Sequence, residues 1–459
     1  MNRFVKLLLT SALLACTVTA SACSGGAELG EAQKTPSSQE TAAPVKTDAP
    51  NATPAESTEP PAVSEVPSGA EKWIDACGDA QRILMTYEQI QEMNASIRAN
   101  CTALTDIASY PESMSKSELT ALIESSSGPS LPKYDEDGIE ITAEELAEIR
   151  ENRNLDALEE TNSFRRGVTI QRTDIRALPT SRAFYDRASV QDYDRMQESE
   201  LAAGSAVWIL HTSRDGAFCF IQSYYYVGWA DADDIADAEG SSDWDAYARL
   251  LNMTENASQD LRFAVITDPL LEVKGTKLDM GTALLLSETQ SAESGTYRIL
   301  LPGKDADGRL IHTETELSAA SASLGYLDYT FRNFYIQAFK YVGTPYGWGG
   351  MKDGVDCSSY VLSVFKTFGF VFPRNTGQQN GSVGNITNTE AMSEAEKLSV
   401  LAEADSQVLL YKSGHVMIYL GVINDVHYII HAPGGGSVRE DAYDGFSSLI
   451  RICGVGPLK

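Results

Sequence analysis

The chain has 459 residues, enough for about three domains of roughly 150 residues each. Its 64 acidic residues outnumber 36 basic ones, a formal charge of −28, which argues against nucleic-acid binding through a basic surface and against electrostatic attachment to an anionic membrane. With 43% hydrophobic residues the chain is not disordered overall, and seven cysteines without a CxxC pair indicate neither a disulfide scaffold nor a zinc site.

In chain order, Arg3 and Lys6 precede an apolar run from Leu7 to Ala15, the layout of an export signal and too short for a span of about 20 apolar residues. Small residues follow, ending Ala20-Ser21-Ala22-Cys23-Ser24-Gly25-Gly26. This resembles a bacterial lipobox, which implies lipidation at Cys23 after removal of residues 1–22, with Cys16 as the rival anchor and plain cleavage near Ala22 as the alternative. The expected location is outside the cell, lipid-anchored to the outer face of the membrane or associated with the wall. Residues 23–70 are rich in Pro, Ala, Ser, Thr and Glu and lack aromatic residues, so they read as a disordered linker.

Residues 71–161 have helical periodicity. The runs Ala80–Met85 with Tyr87–Ile90, Ser117–Ile123 and Thr142–Ile149 all space apolar residues three and four apart, and Thr142 followed by acidic residues reads as a helix start. Cys77 and Cys101 flank the first of these runs and either pair in an oxidising compartment or stay as buried thiols. From residue 162 to 240 the pattern turns to short strands: Val168–Gln171, Ala206–Leu210, Phe218–Ile221 and Tyr226–Trp229, with a turn at Ser213-Arg214-Asp215-Gly216. Together with Arg172-Thr173, Ile175–Thr180 and the closing Gly228-Trp229, this region resembles a bacterial SH3b domain, which implies a small β-barrel. A second, weaker match runs through 241–325 at Phe263–Thr267, Ala283–Leu286 and Tyr297–Leu301. The acidic stretch Asp231–Asp245 lacks the ligand spacing of a calcium loop and reads as a solvated face. His211 and His312, far in sequence from any partner, read as surface residues.

The chemistry concentrates in residues 326–459. A helical segment, Tyr329–Val342, leads into a Gly-rich loop at 343–350, followed by Asp356-Cys357-Ser358-Ser359 and a helical run that stops at Gly369. Cys357 therefore sits at a helix start, where unsatisfied N–H groups favour a thiolate. Further on, His415 opens the strand Val416–Leu420, and Val426–His431 returns after a turn, so antiparallel pairing brings His415 to His431. Cys357 then reads as nucleophile, His415 as base and His431 as the group that orients the base. His427 shares a face with His431 and is the alternative orienter. In a strand those two lie about 13 Å apart, too far to share a metal. No metal site and no cofactor are expected.

The segments Tyr346–Gly350, Asp356–Ser359, Phe372–Thr376, Gly414-His415-Val416 and Ile430–Pro433 resemble the NlpC/P60 family of cell-wall cysteine peptidases. The resemblance implies a papain-like α+β fold over 326–459 and carries the family's Cys-His-His triad onto Cys357, His415 and His431. It places Tyr346 beside the nucleophile, either as a donor to the oxyanion or as packing for the loop, and makes Arg374 structural. One departure is Ala402–Gln407, where many members have a Pro-Gly-Asp turn. The expected fold is thus multidomain: a helical N-terminal region, two SH3b-like barrels and a C-terminal NlpC/P60 domain.

The same layout implies a cysteine endopeptidase that cuts the γ-D-glutamyl–L-diamino acid bond of peptidoglycan stem peptides or muropeptides and favours a free N-terminal L-Ala. A carboxylate next to the nucleophile raises the thiol pKa unless something neutralises it. Asp356, with Ser358, is therefore expected to hold the substrate ammonium, with Tyr226 as the contribution of the first β-unit. The alternatives are a non-catalytic wall-binding lipoprotein, and an amidase or acyltransferase using the same Cys-His chemistry.

Overall fold

The computed structural model describes residues 66–251, 260–289 and 295–459. The export signal, Cys23 and most of the linker lie outside these residues. Helices α1 (Ala70–Ala76), α2 (Tyr87–Asn100), α3 (Lys116–Glu124) and α4 (Ala143–Glu151) come first. The last three begin at Thr86, Ser115 and Thr142, each forming a reciprocal capping box with Gln89, Glu118 or Glu145. The box satisfies backbone N–H groups that a helix start leaves open. Ala80–Met85, expected as helix, is instead a turn and a short extended piece. Leu84 donates its N–H to Tyr329 O at 2.8 Å, Ile83 bridges to Thr330, and Leu84 and Met85 are buried. Three consecutive apolar residues suit an extended segment as well as a helix, and the contact with residues 329–330 decides. Cys77 and Cys101 are both free thiols.

Seven strands then form one antiparallel sheet, ordered Gln197–Leu201, Thr173–Arg176, Val227–Asp231, Phe218–Gln222, Ala206–Thr212, Arg165–Thr169, Ile235–Asp237. Its core holds Trp208, Phe220 and Trp229, and α5 (Asp243–Leu250) covers it, with Trp244 Nε1 donating to Gly167 O at 3.1 Å. His211 is partly buried and has a partner: its Nε2 meets Asn154 O at 3.1 Å. His312 likewise meets the Tyr247 hydroxyl at 2.9 Å and stacks on that ring. Sequence distance hid both partners. Beyond α5 the strands form, among the described residues, three small sheets: Ala283–Leu285 with Phe263–Ile266 and Ala322–Leu324, Leu270–Val273 with Thr276–Asp279, and Thr296–Lys304 with Leu310–Ser318.

The C-terminal part combines α6 (Phe331–Lys340), α7 (Cys357–Lys366), α8 (Thr376–Ser382) and α9 (Glu394–Ala402) with a six-stranded antiparallel sheet. The strand order is Asn385–Asn388, Arg451–Val455, Gln407–Lys412, His415–Ile423, Val426–His431, Arg439–Ala442. Phe334, Phe365, Phe368, Val416 and Ile418 share one core with Trp73 of α1, so the N-terminal helix is built into this half. Lys72 of α1 also pairs with Glu440 at 2.6 Å.

Candidate active site

Asp356 is the N-cap of α7, which makes Cys357 the first helical residue. Its carboxylate accepts the N–H groups of Ser358 (3.1 Å) and Ser359 (2.9 Å), and its own N–H donates to Ser359 Oγ (2.9 Å). The same carboxylate takes both arms of the Arg374 guanidinium, at 3.1 and 2.6 Å, and the N–H of Gly349 at 3.3 Å. Ser358 turns inward as well, its hydroxyl donating to Asp356 at 3.0 Å and accepting from Arg374 at 3.2 Å. The charge beside the nucleophile is thus neutralised by a buried arginine of the chain itself, where the sequence alone suggests a substrate ammonium. Burial pushes the Asp356 carboxyl up, but Arg374 and the helix N–H groups outweigh it and hold the group below the ordinary range.

The two histidines meet. His415 opens one strand and His431 closes the next, and the pairing of Ile418 with Ile430 puts His431 opposite Met417. Residues 415 and 417 point to one side of the pleat, so the two rings are diagonal neighbours. His415 Nε2 lies 2.8 Å from His431 Nδ1. One strand further, Asp441 pairs with Ile429 and falls on the same side, with Oδ2 3.0 Å from His431 Nε2. A relay His415–His431–Asp441 therefore runs diagonally across three strands. Arg439 Nε steadies its end by donating to Asp441 at 2.8 Å. Asp441 is not legible in the sequence because its strand, Arg-Glu-Asp-Ala, carries no apolar alternation. His427 takes no part: its Nδ1 bonds the Tyr419 hydroxyl at 2.6 Å and its ring packs on Phe446.

The Cys357 thiol lies 3.5 Å from Thr376 Oγ1 and against the backbone N–H of Val416, the residue after His415. Residues 343–451 match the model of the NlpC/P60 family, and residues 182–231 match the SH3 domain of SH3b1 type. The C-terminal part of the chain is an NlpC/P60 domain. Among curated proteins, a bifunctional muramidase/DL-endopeptidase of Bacillus subtilis is 40% identical over 57 residues, 12% of this chain and 17% of that protein. A gamma-D-glutamyl-L-lysine dipeptidyl-peptidase of Bacillus cereus is 26% identical over 168 residues, 35% of this chain and 45% of that protein. The chain thus spans less than half the length of these relatives. A solved NlpC/P60 endopeptidase of Photobacterium damselae superposes with a TM-score of 0.63 at 20% identity, covering 86% of this chain and 92% of that one, which shows a shared fold.

In the NlpC/P60 domain the Gly-rich loop runs between two neighbours. Tyr346 donates its N–H to Gly436 O at 2.8 Å, and its ring meets Tyr193 of the SH3b domain edge-on at 6.1 Å. Trp348 Nε1 donates to Gln197 O at 2.9 Å, so the loop is clamped to an SH3b strand. Gly350 sits at φ +88°, a backbone conformation that side chains rarely adopt, and a Cβ there would lie 2.5 Å from the Glu200 carboxylate, which would have to shift. Tyr226 donates to the Glu198 carboxylate and also bonds the Asn375 side chain, beside Arg374. Burial raises the Glu198 carboxyl, against the pull of Tyr226 and Arg374. Glu198 was not legible in the sequence, since an acidic residue in an edge strand reads as solvent-facing.

Burial works against the thiolate expected at the helix start. Burial, then the nearby Asp356, pushes the Cys357 thiol up to about 11. Burial, with His431 and Lys412 adding to it, lowers His415 to about 3. Desolvation thus opposes the helix terminus, working against the thiolate and against the imidazolium alike. Iodoacetamide alkylation of Cys357 is expected to keep accelerating from pH 7 to pH 10, as the thiolate fraction grows. A rate already level at pH 6 would show a preformed thiolate–imidazolium pair instead.

Proposed function

We propose that the chain is a cysteine peptidase that hydrolyses the γ-D-glutamyl–L-diamino acid bond of peptidoglycan stem peptides, preferring those with a free N-terminal L-Ala. The observation that carries this reading is the relay from Asp441 through His431 to His415, beside a cysteine that opens a buried helix of an NlpC/P60 domain. The Cys357 sulfur attacks the γ-glutamyl carbonyl while His415 takes the thiol proton on Nδ1, the ring nitrogen not engaged by His431. Asp441 and His431 hold the imidazole in that orientation and stabilise its cation. The N–H groups at the start of α7, with the Tyr346 hydroxyl, stabilise the tetrahedral oxyanion. The proton passes to the leaving amine of the diamino acid, a thioester forms, and a water deprotonated by His415 releases the L-Ala-D-Glu dipeptide. Because burial opposes both the thiolate and the imidazolium, the charge separation of the attack relies on the relay and on the displacement of water by substrate.

The L-Ala ammonium goes to Glu198 and Tyr226 in this reading, with Asp356 and Ser358 forming the floor of the subsite. Asp356 already pairs with Arg374 at 2.6 Å, whereas the Glu198 carboxyl stays raised by burial despite Tyr226 and the pull of Arg374, with no direct ion pair of its own among the described residues. An arriving ammonium supplies it. The region 241–325 is read as a second SH3b-like unit, the helical stretch 71–161 as a structural preface to both, and residues 1–22 as an export signal followed by a lipidated Cys23 that keeps the enzyme on the outer face of the membrane or in the wall. Incubation of defined muropeptides with the wild type and with Cys357→Ala, followed by mass spectrometry, tests the proposal. L-Ala-D-Glu released only by the wild type is the expected result. A different scissile bond, or equal turnover by the variant, overturns it.

A further inference from the structure

Five charged side chains alternate in sign across three parts of the fold. Asp356 caps α7 and pairs with Arg374 at 2.6 Å. Arg374 reaches Glu200, on the SH3b strand Gln197–Leu201, at 3.4 Å, and donates Nε to Ser199 Oγ at 2.8 Å. Glu200 and Arg172 converge on Gly350: a Cβ there would lie 2.5 Å from the Glu200 carboxylate and 2.7 Å from the Arg172 guanidinium, which donates to Gly350 O at 3.0 Å. Arg172 in turn pairs with Asp279 of the middle region at 2.9 Å. The side chains of Arg374, Arg172, Asp356 and Glu200 are all at most 14% exposed.

Buried charges are tolerated only where each faces its opposite with good geometry. Arg374 divides its planar fork between Asp356 on one side and Ser199 and Glu200 on the other. Its position, and through it the cap that starts the nucleophile helix, is therefore set by two adjacent residues of the SH3b domain. A lysine in its place would carry the charge without the fork.

We propose that Glu200 is a positioning residue for the nucleophile: acting through Arg374, it holds Asp356 and hence the α7 terminus that bears Cys357. This inference rests on the reading of Cys357 as the nucleophile. The accessory domain then takes part in turnover as well as in any wall binding.

The test uses the full chain and the tripeptide L-Ala-γ-D-Glu-L-Lys. Glu200→Gln is expected to lower kcat about ten-fold with KM changed by less than about three-fold, and Glu200→Asp, which keeps the charge, to lose only about three-fold. In an Arg374→Lys background, where the fork is gone, Glu200→Gln is expected to cost less than about two-fold more. Ser199→Ala, a milder change, is expected to lose about three-fold in kcat and to lose that effect in the same background, which keeps the test available should Glu200→Gln not fold. Losses that multiply across the two backgrounds, or that track the melting temperature rather than the Arg374 background, overturn the proposal. Turnover by Cys357→Ala would overturn the nucleophile reading, and is a separate result.

Discussion

His415→Ala is expected to lower kcat/KM on a γ-D-glutamyl peptide by about 10⁴-fold, the scale on which removing the base of a nucleophile–base pair acts. Burial and Asp356 push the Cys357 thiol up, so the sulfur depends on the imidazole to receive its proton. Asp441→Asn is expected to cost about ten- to a hundred-fold, since an outer hydrogen-bond partner orients a ring without exchanging protons with substrate. The amide can still meet His431 Nε2, but it no longer stabilises the cation that forms two rings away. His427→Ala serves as the comparison: its ring bonds Tyr419 outside the relay, and kcat is expected to stay within about two-fold. Steady-state kinetics on the four proteins decide the matter. An Asp441→Asn enzyme as active as the wild type would remove Asp441 from the relay, and a fully active His415→Ala would remove the relay from the reaction.

Arg374→Met is expected to destabilise the fold by about 3–5 kcal/mol, the range for removing one member of a buried ion pair. Arg374 is 3% exposed, and its loss strands the Asp356 carboxylate in the core next to Glu200. The pH dependence gives the effect a signature. In the wild type the Asp356 pKa lies below its unfolded value, so its contribution is complete above the ordinary carboxylate range and fades as the pH falls through the folded pKa. Without Arg374, burial dominates and raises that pKa, so the variant is penalised at neutral pH and relieved when the carboxyl protonates. Urea midpoints of the two proteins are expected to differ most near pH 7 and to approach each other as the pH is lowered. A gap that stays constant with pH would show that the loss comes from packing alone.

The local features of the site were legible in the sequence because each is written in neighbouring residues. Asp356 and Ser359 flank Cys357 at the spacing of a helix cap, Gly369 ends the helix, and α7 follows at Cys357–Lys366. His415 opens a strand and His431 closes its partner, and the turn between them was visible, so antiparallel pairing alone brought the two rings together. The same locality explains what was misread. Ala80–Met85 has the composition of either a helix or an extended piece, and residues 329–330, some 245 positions away, decide between them.

The partners of Asp356, Glu198 and Glu200 lie on segments far from them or from Cys357 in sequence, and a charged residue in isolation looks solvated. Periodicity cannot tell that an acidic residue of one domain faces a buried arginine of another, because that depends on how the sheets dock. The protonation state of the site belongs to the same class. A helix start favours a thiolate, but burial of the α7 terminus between the sheet and the SH3b strand works against it, and burial is a property of the packed molecule alone. What the order of residues determined by itself was which groups are present and which helix and strand ends carry them. What the tertiary structure decided was their counter-ions and their charge, because desolvation and ion pairing arise only when distant segments close around the same few atoms.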